Sequence, residues 1–214
     1  MKDRGPVVAI DGPAGSGKST LGRRLAEELG VPYVNTGLMY RALAARALRE
    51  SLDVEDGPAL ANLAREIRFD LDLQSSPPSL RVDGRAPGEE LVTPEVEGSV
   101  SSVSRHPTVR AVMVSEQRRL GARGAVMEGR DIGSVVFPDA DVKLFLEAAP
   151  TERARRRERE RGDAAAEAAA GRDDLDARVN PFVPAPGAVV IDTTGRPKDD
   201  VLAEALEAVR SRVG

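Results

Sequence analysis

Val7-Val8-Ala9-Ile10-Asp11-Gly12-Pro13-Ala14-Gly15-Ser16-Gly17-Lys18-Ser19-Thr20 is the stretch that decides the fold of this chain. The apolar run Val7 to Ile10 reads as a buried strand. It breaks at Asp11-Gly12-Pro13, and helical periodicity starts at Ser19. From Gly12 the residues follow G-x-x-x-x-G-K-S, the phosphate-binding loop. Its glycines let successive backbone N–H groups face one oxyanion. The helix that follows adds the positive end of its dipole and its free amides. Lys18 is placed to reach the outer phosphates and the Ser19 hydroxyl to ligate Mg²⁺. A strand before the loop and a helix after it are the context this pattern needs. Gly12 to Thr20 therefore reads as the seat of a nucleoside triphosphate.

Working outward, Leu21, Leu25 and Leu29 recur at helical spacing and Gly30 is a natural C-cap. Val31-Pro32-Tyr33-Val34 reads as a second strand, leading through Asn35-Thr36-Gly37 into a helix with Leu38, Ala42, Ala45 and Leu48 on one side. Strand, loop, helix, strand, helix is the opening of a doubly wound parallel sheet. Residues 58–66 give another short helix. The period then changes, because Ile67, Phe69, Leu71 and Leu73 alternate with Arg68, Asp70 and Asp72, and Leu80 and Val82 alternate after the Ser75-Ser76-Pro77-Pro78 turn. This predicts an antiparallel hairpin or three-stranded sheet inserted over about residues 67–92. Thr93-Pro94 opens a helix through Ser104, and a second runs from Val109 to Leu120. Ala125 to Glu128, Val142 to Leu146 and Ala188 to Asp192 read as strands, with an arginine-rich helix from Thr151 and a closing helix over 198–212. The alanine run Ala164 to Ala170 is helix-prone, with low-complexity linker as the competing reading. The expectation is one α/β domain of 214 residues. It has a three-layer phosphate-loop fold around a central five-stranded parallel sheet, a small antiparallel insert and a short arginine-rich lid. The core would comprise residues 1–66, 93–150 and 187–214, with the insert at 67–92 and the lid at 151–186.

Composition narrows the chemistry. The chain has no cysteine, which removes disulfides, thiolate nucleophiles and zinc–thiolate sites. No apolar run approaches the ~20 residues that span a bilayer, and nothing resembles a signal peptide, so a cytoplasmic setting with no membrane partner is expected. The net charge of −4 argues against a nucleic-acid partner, and aromatics at 3% supply few stacking platforms. The sole histidine, His106, lacks a partner for a triad or metal site and reads as a surface or capping residue.

A phosphate loop alone does not say what becomes of the nucleotide, since GTPases, ATPases and kinases share it. The Asn-Lys-x-Asp guanine reader and the Leu-Ser-Gly-Gly transporter signature are absent. What is abundant is arginine in Gly- and Pro-flanked segments, above all Arg153, Arg155, Arg156, Arg157, Arg159 and Arg161. Phosphoryl transfer needs positive charge around the moving group and exclusion of water, and an arginine-rich lid meets both needs. The plainer reading is a solvated helix face with pairs such as Glu152–Arg156 and Glu158–Arg161.

Beyond the loop, Thr36-Gly37-Leu38-Met39-Tyr40-Arg41, Glu128-Gly129-Arg130-Asp131-Ile132-Gly133 and Val136-Phe137-Pro138-Asp139-Ala140 stand in an order and spacing that resembles the bacterial cytidylate kinases. Glu152-Arg153-Ala154-x-Arg156-Arg157, Arg172-Asp173-Asp174-Leu175-Asp176 and Val190-Ile191-Asp192-Thr193-Thr194 carry the likeness across essentially the whole chain. The resemblance implies transfer of the ATP γ-phosphate to CMP or dCMP, with Mg²⁺ assisting and a monomer as the working form. It implies that Gly12 to Thr20, with Arg153 and Arg156, bind ATP, with Ser19 on the metal. Arg41 and Arg130 would clamp the acceptor phosphate, where a planar guanidinium suits bidentate binding. Lys18, Arg130, Asp131, Arg157 and Arg172 would form the catalytic set.

Cytosine offers an amino donor beside two acceptors, so its reader needs a cation and an oxygen. Arg110 fits the first task, and Ser101 and Asp131 the second, in line with the family pattern. Four serines crowd residues 99–104, which leaves a purely structural role open for Ser101. Thr36 stands where the family often has serine and keeps the hydroxyl for the nucleotide. The resemblance puts Asp176 on the sugar hydroxyls and Arg172 at the phosphates or sugar, while an i,i+4 ion pair is the competing reading. Val179 occupies the place of a further family arginine, which makes Arg178 the substitute for the acceptor. Asp11 is read as support for the loop and the metal's water shell, or as a helix cap. The rival readings are a kinase of another small acceptor (UMP, AMP, shikimate or a coenzyme precursor) and a nucleotide-dependent switch.

Overall fold

The computed structural model describes residues 4–161 and 183–213. Among the described residues the seven β-strands are β1 (Val7–Asp11), β2 (Tyr33–Asn35), β3 (Phe69–Asp72), β4 (Ser79–Val82), β5 (Ala125–Gly129), β6 (Val142–Glu147) and β7 (Val189–Asp192). The described helices are α1 (Lys18–Leu29), α2 (Thr36–Arg49), α3 (Gly57–Glu66), α4 (Pro94–Ser104), α5 (Pro107–Gly121), α6 (Pro150–Arg161) and α7 (Lys198–Val213).

The strands form one sheet in the order β3-β4-β2-β5-β1-β6-β7. Six of them, β4, β2, β5, β1, β6 and β7, run parallel, one more than the five that the alternation of strand and helix predicts, because β2 takes β4 as a further parallel neighbour. The antiparallel hairpin is also present, but not as a separate small sheet. β4 pairs in parallel with β2 at Tyr33↔Ser79, and β3 pairs antiparallel with β4 from Phe69↔Val82 to Asp72↔Ser79. The insert thus extends the central sheet by two strands. No third strand joins it among the described residues. Arg85 makes one isolated bridge back to Val82, and Glu89–Leu91 is a single 3₁₀ turn. Burial explains the docking, since Phe69 is fully buried and Leu80 nearly so, and an isolated hairpin could not bury them.

β1 is buried along its whole length, and its alternation sorts the two faces. Val8 and Ile10 pack with Leu21, Leu25 and Ala26 of α1 and Val201, Leu202, Ala205 and Val209 of α7. Ala9 faces the other layer, with Met39 and Leu43 of α2, Leu60 of α3, Val100 of α4 and Met113 of α5. Helices on both faces of a mostly parallel sheet make the three layers. Register aligns Asp11 with Gly129, Asn35 with Glu128 and Asp11 with Phe145, so the carboxyl ends of four strands open on one edge. Ligands of doubly wound sheets bind in such a crevice.

Candidate active site

The loop after β1 has the geometry its glycines permit. Gly12 has φ 145°, and a Cβ there would lie 2.1 Å from the Leu146 carbonyl oxygen. Gly15, at φ 73°, lies against α6, where a Cβ would come within 2.7 Å of the Arg153 carbonyl oxygen. Gly17 caps α1 with no side-chain bond to its amides, and the first turn of α1 holds no acidic residue. The positive end of α1 therefore has no neutralising carboxylate in that turn. Lys18 Nζ donates to the Pro13 carbonyl at 2.7 Å, across the loop. Ser19 is exposed and Thr20 half-buried in the first turn of α1, Ser16 is fully buried, and Pro13 is buried beside half-buried Ala14.

The arginines of α6 bear on the carbonyl side of this loop. Arg153 Nη1 and Arg157 Nη1 each donate to the Ala14 carbonyl at 3.4 Å. Arg156 is a strut, with Nε on Glu152 (3.0 Å), Nη1 on Gly15 O (3.4 Å) and Thr193 Oγ1 (2.9 Å), and Nη2 on Thr193 O (2.7 Å). Thr193 Oγ1 lies 3.0 Å from the Ser16 carbonyl oxygen, to which it donates. Sequence reasoning quoted Thr193 without a role. Its signal was its place just past the last strand, which is where a parallel sheet meets its crevice. The Glu152–Arg156 pair of the plainer reading coexists with this role at the loop.

On the other side, Arg41 and Glu97 form a buried ion pair, Nε to Oε1 at 2.6 Å, linking α2 to α4. A Cβ at Gly37 would sit 2.9 Å from Arg41 Nη1 and 3.1 Å from Asn35 Oδ1, the acceptor that caps α2. The glycine thus makes room for the guanidinium to fold back along its own helix. Glu97 escaped sequence reasoning because a glutamate in the first turn of a helix looks like a dipole partner. Ser101 stands one turn beyond Glu97 on α4. Thr36 Oγ1 donates to the Glu128 carbonyl at 2.8 Å, so what remains for a nucleotide is its oxygen lone pairs. The Glu128 carboxylate, 3% exposed, accepts from the buried Tyr33 hydroxyl. Burial first, and then the Glu128 charge, hold the Tyr33 phenol far above its ordinary range.

Arg110, in the first turn of α5, is paired with Asp131. Tyr40 lies beside both; burial pushes its phenol up to about 12, against the Arg110 charge, and it stays a proton donor at neutral pH. Arg130 Nη1 donates to the Gly12 carbonyl at 2.9 Å, reaching from the segment after β5 to the loop after β1. Asp11 accepts the backbone N–H groups of Ile132 (2.7 Å) and Gly133 (2.8 Å). Those amides open a wide π-helical turn, Ile132–Val136, which sequence reading did not anticipate. Burial raises the Asp11 carboxyl, and the two amides oppose that rise. His106 Nε2 meets the Val54 carbonyl at 2.9 Å and its ring packs on Gly57, so it ties α5 to α3. Arg172, Asp176 and Arg178, with Val179, lie outside the described residues.

The family model for cytidylate kinase matches residues 8–211. A cytidylate kinase from Pelotomaculum thermopropionicum is 44% identical over 92% of each chain, and one from Roseiflexus castenholzii is 45% identical over 96% of this chain and 94% of its own. A bifunctional pantoate ligase/cytidylate kinase from Synechococcus is 45% identical over 98% of this chain, which spans 46% of that longer protein. The crystal structure of an uncharacterized protein from Eubacterium ventriosum superposes with a TM-score of 0.51 over 97% of this chain and 99% of its own at 11% identity, a likeness of fold alone. With nearly every residue from β1 to α7 matched, the chain belongs to the cytidylate kinase family.

Proposed function

We propose that this chain transfers the γ-phosphoryl group of ATP to CMP or dCMP, giving ADP and the nucleoside diphosphate, in pyrimidine nucleotide metabolism. The observation that carries this reading is the 2.9 Å hydrogen bond from Arg130 to Gly12 O, because it brings an arginine of the acceptor motif to the mouth of the donor loop. An acceptor phosphate oxygen attacks the γ-phosphorus there, and the bond to the β,γ-bridging oxygen breaks as ADP leaves. Positioning and positive charge are the main demands of such a transfer.

In this reading Lys18 and the amides from Gly12 to Thr20 hold the donor phosphates. Arg41 and Arg130 hold the acceptor phosphate, while Arg110, Asp131 and Ser101 read the base and Thr36 faces the nucleotide. Arg153, Arg156 and Arg157 support and charge the donor side, and Arg172, Asp176 and Arg178 complete the acceptor site. The insert at 67–92 and the lid at 151–186 serve a single kinase domain. Mg²⁺ would be delivered with the nucleotide, taking most of its ligands from phosphates and water. Ser19, exposed at the head of α1, would supply the protein oxygen. The chain works as a cytoplasmic monomer without nucleic acid or membrane. No described helix is long and apolar enough to cross a bilayer.

Steady-state phosphorylation of CMP, dCMP, UMP and AMP, read by coupled ADP release, tests the assignment. CMP or dCMP should be preferred, Lys18→Ala should abolish turnover with the fold kept, and Arg110→Met should damage CMP use selectively. CMP turning over no better than AMP or UMP overturns the acceptor. ADP release that CMP does not stimulate favours a nucleotide-dependent switch.

A further inference from the structure

Asp11 is the last residue of β1 and in sequence belongs to the donor loop, yet its carboxylate is directed at the acceptor motif. It is 5% exposed, and its oxygens accept from Ile132 N at 2.7 Å and Gly133 N at 2.8 Å. Its neighbour Gly12 receives the Arg130 guanidinium in return, at 2.9 Å. Two segments are thus clasped in both directions. A side chain from the donor strand holds acceptor amides, and a side chain from the acceptor motif holds a donor carbonyl. The strands end level, Asp11 opposite Gly129, so the clasp joins the ladder's last residue, Asp11, and the first residues beyond it, where the sheet no longer dictates the path. The fit is close, because a Cβ at Gly133 would lie 3.3 Å from Asp11 Oδ2 and 3.3 Å from Lys143 Cδ.

Arg130 and Asp131 immediately precede the turn that Asp11 anchors, and Asp131 carries Arg110. Any swing of Ile132 and Gly133 moves all three. We propose that Asp11 is a positioning residue for the acceptor: it aims Arg130 and Asp131, and through Asp131 Arg110, and so sets acceptor affinity and base discrimination. The proposal rests on the reading of those three residues as acceptor contacts. A role confined to holding the fold together would weaken donor and acceptor use alike.

The test compares Asp11→Asn, Asp11→Ala and Gly133→Ala with wild type. The control is Asp141→Asn, which alters a carboxylate that accepts from Val7 N (2.9 Å) and Arg4 (2.7 Å) at the opposite end of β1. Asp11→Asn should raise the CMP KM about tenfold, Asp11→Ala more, and the ATP KM no more than about twofold, as expected when a charge-assisted bond that orients only one ligand is lost. The kcat/KM ratio of CMP to UMP should fall, and backbone amides from Ile132 to Val136 should exchange with deuterium faster. Gly133→Ala loosens the same clasp from its other side, and it should show the same split even if Asp11→Ala does not fold. Asp141→Asn should lower the melting temperature without altering either KM. Equal rises in the ATP and CMP KM with an unchanged CMP/UMP ratio, or no rise in either, overturn the proposal. A wild-type chain that prefers another acceptor overturns the assignment of CMP instead, because the donor–acceptor split is scored with whichever acceptor turns over.

Discussion

Glu97→Ala tests whether the acceptor side is built around a buried charge pair. Glu97 is 1% exposed and Arg41 6%, and their bond of 2.6 Å joins α4 to α2 beneath the crevice. Removing one partner of a buried pair leaves the other's charge desolvated and costs about 3–5 kcal/mol, whereas an exposed pair is worth about 1 kcal/mol or less. Against a typical total stability of about 5–15 kcal/mol, the loss should be plain in urea denaturation followed by circular dichroism. Replacing both residues by apolar ones of similar volume, Arg41→Met with Glu97→Met, should recover most of it, because no charge is then left buried. The same geometry predicts an effect of ligand. On the proposed assignment of Arg41 to the acceptor phosphate, saturating CMP should raise the midpoint of Glu97→Ala more than that of wild type. A Glu97→Ala loss below about 1 kcal/mol, or a double variant as unstable as the two single losses added, would refute the reasoning, since either result means the pair is solvated or uncoupled.

Gly37→Ala should raise the CMP KM more than it lowers the melting temperature, because its Cβ would lie 2.9 Å from Arg41 Nη1 and turn the guanidinium aside; an unchanged KM counts against that packing. Tyr33→Phe should cost about 1–3 kcal/mol in chemical denaturation by removing the donor to the buried Glu128 carboxylate, and a neutral result would place that carboxylate in contact with water.

Much of the architecture is legible in the residues. The phosphate loop announces itself because only glycine tolerates positions such as Gly12, and the apolar run before it and the Leu21-Leu25-Leu29 period after it allow one local structure each. The hairpin was readable from the alternation at Phe69 and Leu71, but its attachment to β2 was not, because alternation tells which side is buried and not which edge is paired. Candidate site residues that stand in short motifs, such as Lys18, Arg41 and Arg130, were legible. Their partners were not. Glu97 looks like a dipole partner, Thr193 like an ordinary turn threonine, and Tyr33 and Glu128 like strand positions.

The sequence by itself determined a phosphate loop between strand and helix, an α/β chain with an inserted hairpin, and the family to which the motifs belong. These are local properties, carried by steric limits and hydrophobic period within a few residues of each other. Only the tertiary structure decided that the hairpin continues the central sheet, that the α6 arginines bear on the loop's carbonyls, and that Asp11 and Arg130 tie the loop after β1 to the segment after β5 in both directions. The contacts of Asp11 and Arg130, and those of the α6 arginines with the loop, join residues 118 to 143 positions apart. Strand order and register bring such residues together, and no local period encodes either.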